Sequence, residues 1–182
     1  MNIIGFYNCP GIYTNAAAFL KVISERGIST SLNPQYDATG AWDNIEELSP
    51  YLNFLILNEA EVRGIGRSDD ISVAVEKLLR WGISNVVVTM GKNGASCYSY
   101  LNGVVNECHH SAPDLAAEVV RDTTGCGDAF AGAFLVEWIS SKDECKAIRA
   151  GCVSGAAAAT VVGGSTRPED STYHSLFQQH NS

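Results

Sequence analysis

Short apolar runs alternate with segments of helical periodicity along the first half of this chain. Four of the runs have the length of strands: residues 3–7, 28–32, 53–57 and 85–89. The segments 16–23 and 71–79 place apolar side chains on one helical face, and a brief helix is expected around 42–48. Alternation of this kind predicts βαβ units and an α/β fold with a mostly parallel sheet flanked by helices.

The alternation stops near residues 95–110. Apolar stretches at 95–100 and 104–108 flank Asn102-Gly103, and Asn-Gly is a strong signal for a tight hairpin turn. An antiparallel pair is therefore expected here, with His109 and His110 following it as a solvated pair in a loop. Beyond the middle of the chain the pattern is almost wholly helical, with residues 145–162 rich in small side chains and a last short helix around 173–177.

The length and charge of the chain limit its class. The 182 residues, 46% of them hydrophobic, are enough for one α/β domain, which we expect to span residues 1–182. The net charge of −8 argues against nucleic acid or an anionic membrane as a partner. No apolar run approaches the roughly 18 residues of a membrane helix, and no targeting segment is visible, so a cytoplasmic location is expected. Oligomeric state is left open.

The six cysteines show no metal-binding spacing. There is no C-x-x-C pair and no His at zinc-finger distance. We expect small buried or half-buried thiols in a reducing compartment rather than metal ligands or disulfides.

The stretch from Val119 to Phe130 holds the strongest chemical signal. Val119 and Val120 are expected to end a strand, Gly125 and Gly127 to form a tight turn, and a helix to start at Asp128. Unpaired N–H groups at a helix start carry the positive end of the helix dipole, so this turn can hold an anion. Asp128 beside that anion could accept a proton from a hydroxyl. Taken alone, the two glycines could equally be plain turn chemistry.

Two further polar segments directly follow predicted strands, where ligands of α/β sheets gather. Asn58-Glu-Ala-Glu61 follows the strand 53–57, and alone it could be a helix N-cap with an acidic first turn. Thr89-Met-Gly91-Lys-Asn-Gly94 follows the strand 85–89, and alone it could be an ordinary glycine turn.

The three segments together resemble the motifs of the ribokinase-like, PfkB-type carbohydrate kinases. Asp122-Thr-Thr-Gly-Cys-Gly-Asp128 is similar to the C-terminal signature of that family, in which the middle residue is more often Ala. The resemblance implies a three-layer ribokinase-like fold. It implies Asp128 as catalytic base, and it implies an anion hole formed by the backbone of Gly125, Cys126 and Gly127.

The same resemblance implies a nucleotide and metal site. Asn58-x-x-Glu61 matches the N-x-x-E motif, so Glu61 is expected to support Mg²⁺ through water with Asn58 nearby. Thr89, Gly91 and Gly94 match the T-x-G-x-x-G nucleotide loop. Cys152 falls near the family position that lines the adenine pocket, where Asn or His is common. ATP and Mg²⁺ are thus the expected cofactors.

A monovalent-cation site is implied as well. Asp122 and Thr124, with the turn at Gly163, resemble the loop that holds such a cation in ribokinase, which would be K⁺ here. A plain turn is the alternative at these residues.

The resemblance covers the C-terminal portion of the family fold, without its N-terminal strands or its lid. It implies ATP-dependent phosphoryl transfer to a hydroxyl of a small sugar or nucleoside. The alternatives are a truncated or pseudo-kinase module that binds nucleotide without phosphorylating an acceptor, and a doubly wound domain whose glycines are only turns.

Overall fold

The structure is a computed structural model that describes residues 3–7, 16–34, 37–42 and 44–179, with the backbone alone for residues 3–7. The chain forms two compact units. The first comprises Met1–Val88 with Cys97–Glu107, and the second comprises Thr89–Ser96 with Cys108–Ser182. The single domain expected from the sequence stays a prediction.

A six-stranded sheet runs through the described residues, and its strands are neighbours in chain order. The strands are β1 (Ile3–Tyr7), β2 (Ser29–Asn33), β3 (Phe54–Asn58), β4 (Asn85–Thr89), β5 (Ala95–Leu101) and β6 (Val104–His110). β1, β2 and β3 pair in parallel. The strands predicted at 3–7, 28–32, 53–57 and 85–89 are therefore present, each within one residue at either end.

Helices separate the strands of the first unit and fill most of the second. They are α1 (Ala16–Glu25), α2 (Ile45–Leu48), α3 (Glu59–Gly66), α4 (Ile71–Arg80), α5 (Cys126–Ser141), α6 (Glu144–Ala158) and α7 (Asp170–Gln179), with 3₁₀ turns at Ser49–Tyr51 and Gly91–Asn93. The sequence also predicts that Thr14 or Asn15 begins the first helix, and both residues lie outside the described part of the chain. No helix in the described part of the chain is long and apolar enough to cross a membrane.

Two central strands carry the core of the first unit. Phe54 and Leu55 in β3, and Val86 to Val88 in β4, are fully buried. Side chains on alternate positions point to opposite faces of a sheet, so burial of consecutive residues means that both faces are covered. This confirms the strand predicted from the apolar run at 53–57.

The predicted hairpin is present and longer than expected. Asn102 and Gly103 both have positive φ, 54° and 81°, as the two central residues of a type I′ turn require. β6 continues to His110, so the prediction of a loop at His109 and His110 is wrong. The reason is a side-chain contact: the Nδ1 atom of His109 lies 3.0 Å from the Oγ atom of Ser96, which ties the two strand ends together.

The strand predicted at Val119 and Val120 is absent, and this prediction is wrong. Both valines are exposed, and the N–H of Val119 donates to the carbonyl oxygen of Ala116 in a turn. Two residues later, the N–H of Arg121 donates to the carbonyl oxygen of Ala159 at 2.8 Å. Bonding to the end of α6 takes the place of pairing with a strand.

The cysteine prediction is wrong for two of the six residues. Cys108 in β6 and Cys145 in α6 form a disulfide. Cys97, Cys126 and Cys152 are free thiols, as expected. Cys9 lies outside the described residues.

Close packing of α5 on α6 organises the second unit. Phe130 and Phe134 of α5 stack with ring centroids 6.1 Å apart. Gly151 of α6 lies so close to Phe130 that a Cβ there would be 2.7 Å from its ring. The small residues predicted for this helix therefore let the two helices approach.

Candidate active site

A cavity of about 610 Å³ lies within the second unit. Six of the residues singled out in the sequence line it: Thr89, Gly91, Gly94, Cys126, Gly127 and Cys152. Its volume is in the range of small-molecule sites. Two motifs separated by some thirty residues of sequence thus contribute to one cavity.

The loop that follows β4 is closed by its own backbone. The N–H of Met90 donates to the carbonyl oxygen of Gly94 at 2.8 Å, and the N–H of Asn93 donates to that of Met90 at 3.0 Å. Gly94 has a φ of 93°, and a Cβ there would collide with the carbonyl oxygen of His110. Packing of backbone on backbone therefore dictates glycine at this position.

The turn before α5 is crowded in the same way at its first glycine. Gly125 is the N-cap of α5 with a φ of 80°, and a Cβ on it would lie 2.6 Å from the carbonyl oxygen of Gly164. The N–H of Cys126 donates to the carbonyl oxygen of Thr123 at 3.2 Å. One amide of the predicted anion hole is thus engaged within the turn.

Gly127, unlike Gly94 and Gly125, is not crowded by other protein atoms. A Cβ at Gly127 would meet nothing within 4 Å, although the residue lines the cavity. It lies in the first turn of α5, where N–H groups have no acceptor within the helix. Since no protein atom requires glycine here, the open space is available to a ligand.

Asp128 is exposed in the first turn of α5 and directly follows Gly127. Asp128 and Gly125 are not among the residues that line the cavity. The predicted base therefore lies on solvent-accessible surface, one residue beyond the cavity lining.

Asp122 connects the turn to a second loop. Its Oδ1 accepts from the N–H of Thr124 and its Oδ2 from the N–H of Gly163, each at 2.9 Å. These hydrogen bonds, the one from Thr124 first, lower the pKa of Asp122. The bonds are those of a turn, and a monovalent-cation site at Asp122 and Thr124 stays a prediction. The described residues contain no cluster of three or more His, Cys, Asp or Glu side chains that could hold a metal ion.

Two thiols face the cavity, and both are held in the neutral form. Burial raises the pKa of Cys152 to about 12. Burial also raises the pKa of Cys126, and the charge of Asp122 adds to that effect. A thiol must ionise to act as a nucleophile, so these side chains serve as contacts rather than as reactive groups.

One wall of the cavity carries no motif and was not predicted. Ala112, Pro113, Asp114 and Leu115 line it, in a stretch without regular structure. Leu115 packs against a buried cluster of α6 and α7 that consists of Val153, Ala157 and Leu176. In the sequence, Pro113 marks only an irregular segment.

Asn58 and Glu61 lie in the first unit and form a capping box on α3. The Oδ1 atom of Asn58 accepts from the N–H of Glu61 at 2.9 Å, and the Oε2 atom of Glu61 accepts from the N–H of Asn58 at 2.8 Å. The N-capping alternative is thus confirmed as the local structure. Burial raises the pKa of Glu61, although its bonds to Asn58 act in the opposite direction.

The model of the pfkB family of carbohydrate kinases matches residues 11–171. The match covers most of the chain and includes every predicted site residue. The chain belongs to the pfkB carbohydrate kinase family.

Curated relatives are nucleoside and sugar kinases. The chain is 30% identical over 120 residues to the adenosine kinase of Dictyostelium discoideum, covering 60% of this chain and 34% of the relative. It is 29% identical over 130 residues to the cytidine kinase of Thermococcus kodakarensis, covering 69% of this chain and 45% of the relative. The chain thus spans less than half of these relatives.

Solved structures show the same fold. The ribokinase of Arabidopsis thaliana, complexed with ribose and ATP, has a TM-score of 0.79 at 23% identity, covering 97% of this chain and 55% of that one. The ribokinase of Thermotoga maritima has a TM-score of 0.78 at 23% identity, covering 97% and 57%. The predicted three-layer ribokinase-like fold is confirmed, and the chain corresponds to part of it.

Proposed function

We propose that this chain carries the nucleotide-binding and catalytic part of a kinase that transfers a phosphoryl group from ATP to a hydroxyl of a sugar or nucleoside. One observation supports the proposal above the others: the loop at 89–94 and the turn at Cys126 and Gly127 line a single cavity. The activities of the relatives, adenosine kinase and cytidine kinase among them, support this class of acceptor.

In the proposed complex the adenine lies against Ala112, Pro113 and Leu115 of the wall and against the neutral thiol of Cys152. The phosphates follow the loop at 89–94 toward Gly127, where the absent side chain leaves room. The N–H of Gly127, at the positive end of α5, stabilises charge on the transferred group. The engaged amide of Cys126 instead holds the turn in shape.

Asp128 is proposed as the general base. Its exposed carboxylate accepts the proton of the acceptor hydroxyl while the hydroxyl oxygen attacks the γ-phosphorus, and ADP leaves. Phosphoryl transfer depends mainly on positioning and on charge stabilisation, so one base and a few fixed N–H donors suffice on the protein side.

Glu61 would hold a hydrated Mg²⁺, with Asn58 orienting its carboxylate through the capping box. The buried setting that raises the pKa of Glu61 disfavours its charge, and a neighbouring cation would offset that penalty. When bound, Mg²⁺ supplies charge neutralisation on the phosphates of the nucleotide.

The test replaces Asp128 by Asn and measures ADP formation with a panel of sugar and nucleoside acceptors. We expect kcat to fall by roughly 10²–10⁴, as for loss of a general base. Calorimetry should show that the Asp128→Asn variant still binds ADP. Glu118→Gln, which removes an exposed carboxylate outside the site, is the matched control and should keep wild-type turnover.

Two outcomes contradict the proposal at different levels. Wild-type turnover by the Asp128→Asn variant would remove Asp128 as the base while leaving the kinase activity in place. No acceptor-dependent ADP formation by the wild-type chain, across the whole panel, would contradict the proposed activity itself.

A further inference from the structure

A covalent bond joins β6, the strand that precedes the cavity wall at 112–115, to α6, a helix that lines the cavity of the second unit. Cys108 lies in β6, and Cys145 is the second residue of α6; the two are 37 residues apart in sequence. The loop that this bond closes contains the wall at 112–115 and the turn at Gly125 to Gly127. Much of the cavity lining therefore belongs to one covalently closed loop.

A second contact lies farther along the same two elements. The thiol of Cys152 donates to the carbonyl oxygen of His110, with the sulfur 3.7 Å from that oxygen. Cys152 is about 10 Å beyond Cys145 along α6, and His110 is about 7 Å beyond Cys108 along β6. The end of β6 thus follows α6 between two points of attachment, one covalent and one weak.

The wall at 112–115 begins just after the second point of attachment, at His110. This stretch has no regular structure, and Leu115 anchors its far end on the cluster of Val153, Ala157 and Leu176. Cys152, Gly155 and Ala156 of α6 also line the cavity. The wall is therefore held on α6 at both ends, by the attachment of β6 before it and by the packing of Leu115 at its far end, and the shape of the cavity depends on both.

The covalent attachment is within reach of solvent. Cys145 is exposed and Cys108 is partly exposed, so we expect a dithiol reductant to reach the bond between them. Disulfides reachable by such reductants are typically the labile or regulatory ones.

We propose that the Cys108–Cys145 disulfide is a redox-sensitive brace on the cavity, and that its reduction weakens nucleotide binding. A thiolate of a dithiol attacks one sulfur, breaks the S–S bond and forms a mixed disulfide. The second thiol of the reductant then displaces the remaining cysteine. Two electrons and two protons pass to Cys108 and Cys145, which become thiols, while the dithiol is oxidised to its own disulfide. The identification of the ligand as a nucleotide rests on the proposed function.

The experiment compares the air-oxidised chain with the same chain treated with dithiothreitol. Mass spectrometry after alkylation reports whether Cys108 and Cys145 are bonded. Calorimetry with Mg·ADP reports affinity, and amide hydrogen exchange reports the mobility of residues 111–116 without any ligand. We expect reduction to weaken Mg·ADP binding by roughly threefold to thirtyfold and to speed exchange at 111–116.

Substitutions distinguish the effect of breaking the Cys108–Cys145 disulfide from other effects of the reductant. Cys108→Ser and Cys145→Ser should each reproduce the reduced wild type and lose the response to dithiothreitol. Cys97→Ala removes a buried free thiol outside the cavity, and this control should keep the full response.

The outcomes distinguish failure of the brace from failure of the kinase. If Mg·ADP binds in neither redox state but exchange at 111–116 still responds, the proposed function fails and the brace stands. Equal affinity and equal exchange in both states would overturn the brace. So would alkylation of both cysteines in the air-oxidised chain.

Discussion

At the scale of single residues, Gly127 is the position where the shape of the backbone bears most directly on the proposed binding of phosphate. It lines the cavity and has open space where a side chain would be. A methyl group added there would fill space that we assign to phosphate, and it would disturb no protein contact.

We expect Gly127→Ala to separate folding from binding. Alanine is favoured over glycine in helices by up to about 1 kcal/mol, so the free energy of unfolding should be unchanged or raised. Affinity for ADP should fall by roughly tenfold or more, equivalent to about 1.4 kcal/mol. Chemical denaturation and calorimetry measure the two quantities.

Gly132→Ala is the matched control in the same helix. Gly132 also has open space around it, and it does not line the cavity. This variant should gain stability in the same way and keep wild-type affinity. Equal affinity in the two variants would show that Gly127 is not near the ligand.

Asp122 gives a prediction about pH. Its folded-state pKa is lower than the ordinary value of 3.8, so its hydrogen bonds to Thr124 and Gly163 stabilise the fold above that value. The stabilisation is lost as the pH falls through the folded-state pKa. We expect Asp122→Asn to lower the melting temperature at pH 7, and the difference from wild type to shrink below about pH 4.

Thermal melts between pH 7 and pH 3 measure this effect. Glu118→Gln controls for the loss of one negative charge outside the turn. A difference between Asp122→Asn and wild type that stayed constant down to pH 3 would show that the carboxylate is not the stabilising group.

At the scale of elements, the capping box of α3 combines a structural and a proposed chemical role. Asn58→Ala should cost about 1 kcal/mol, because the N–H of Glu61 loses its acceptor. Glu61→Gln keeps the capping pattern. It also removes a carboxylate whose pKa is raised by burial, so at pH 7 the charge it deletes is an unfavourable one.

The pair of variants therefore separates capping from metal binding. Glu61→Gln should leave the unfolding free energy unchanged or raise it, and it should raise the Mg²⁺ concentration needed for half-maximal turnover. Asn58→Ala should show the loss of stability. An unchanged Mg²⁺ requirement in Glu61→Gln would remove Glu61 from the metal site.

Elements with strong local signals could be predicted from the sequence. β4 has the predicted bounds, because a run of valines favours only a buried strand. The hairpin turn follows from Asn102-Gly103, since both positions need positive φ. Val119 and Val120 have the same strand propensity but lie in no strand. A bond from Arg121 to Ala159, far away in sequence, decides their structure.

At the scale of the whole molecule, long-range contacts are what sequence patterns could not supply. The motifs predicted the loop at 89–94 and the turn at Gly125 to Gly127. The wall at 112–115 has no motif, and Leu115 holds its end by packing against Val153, Ala157 and Leu176. The disulfide was missed because Cys108 and Cys145, 37 residues apart, show no spacing that indicates a pair.

The disulfide also predicts a difference in global stability. Closing a loop of this length reduces the entropy of the unfolded chain and is worth about 4 kcal/mol. We expect a urea denaturation midpoint that is clearly lower with dithiothreitol than without it. Cys97→Ala should show the same difference between the two conditions, whereas Cys145→Ser should show none.

The crowding of Gly94 against the backbone at His110 has a consequence for annotating related chains. A related protein that no longer binds a ligand would still need glycine at 94, because the carbonyl oxygen of His110 leaves no room for a side chain there. No protein contact requires glycine at 127, so other residues could replace it there. On the proposed role of Gly127 beside the phosphates, glycine at 127 in other family members should indicate an active enzyme, whereas glycine at 94 indicates only an intact fold.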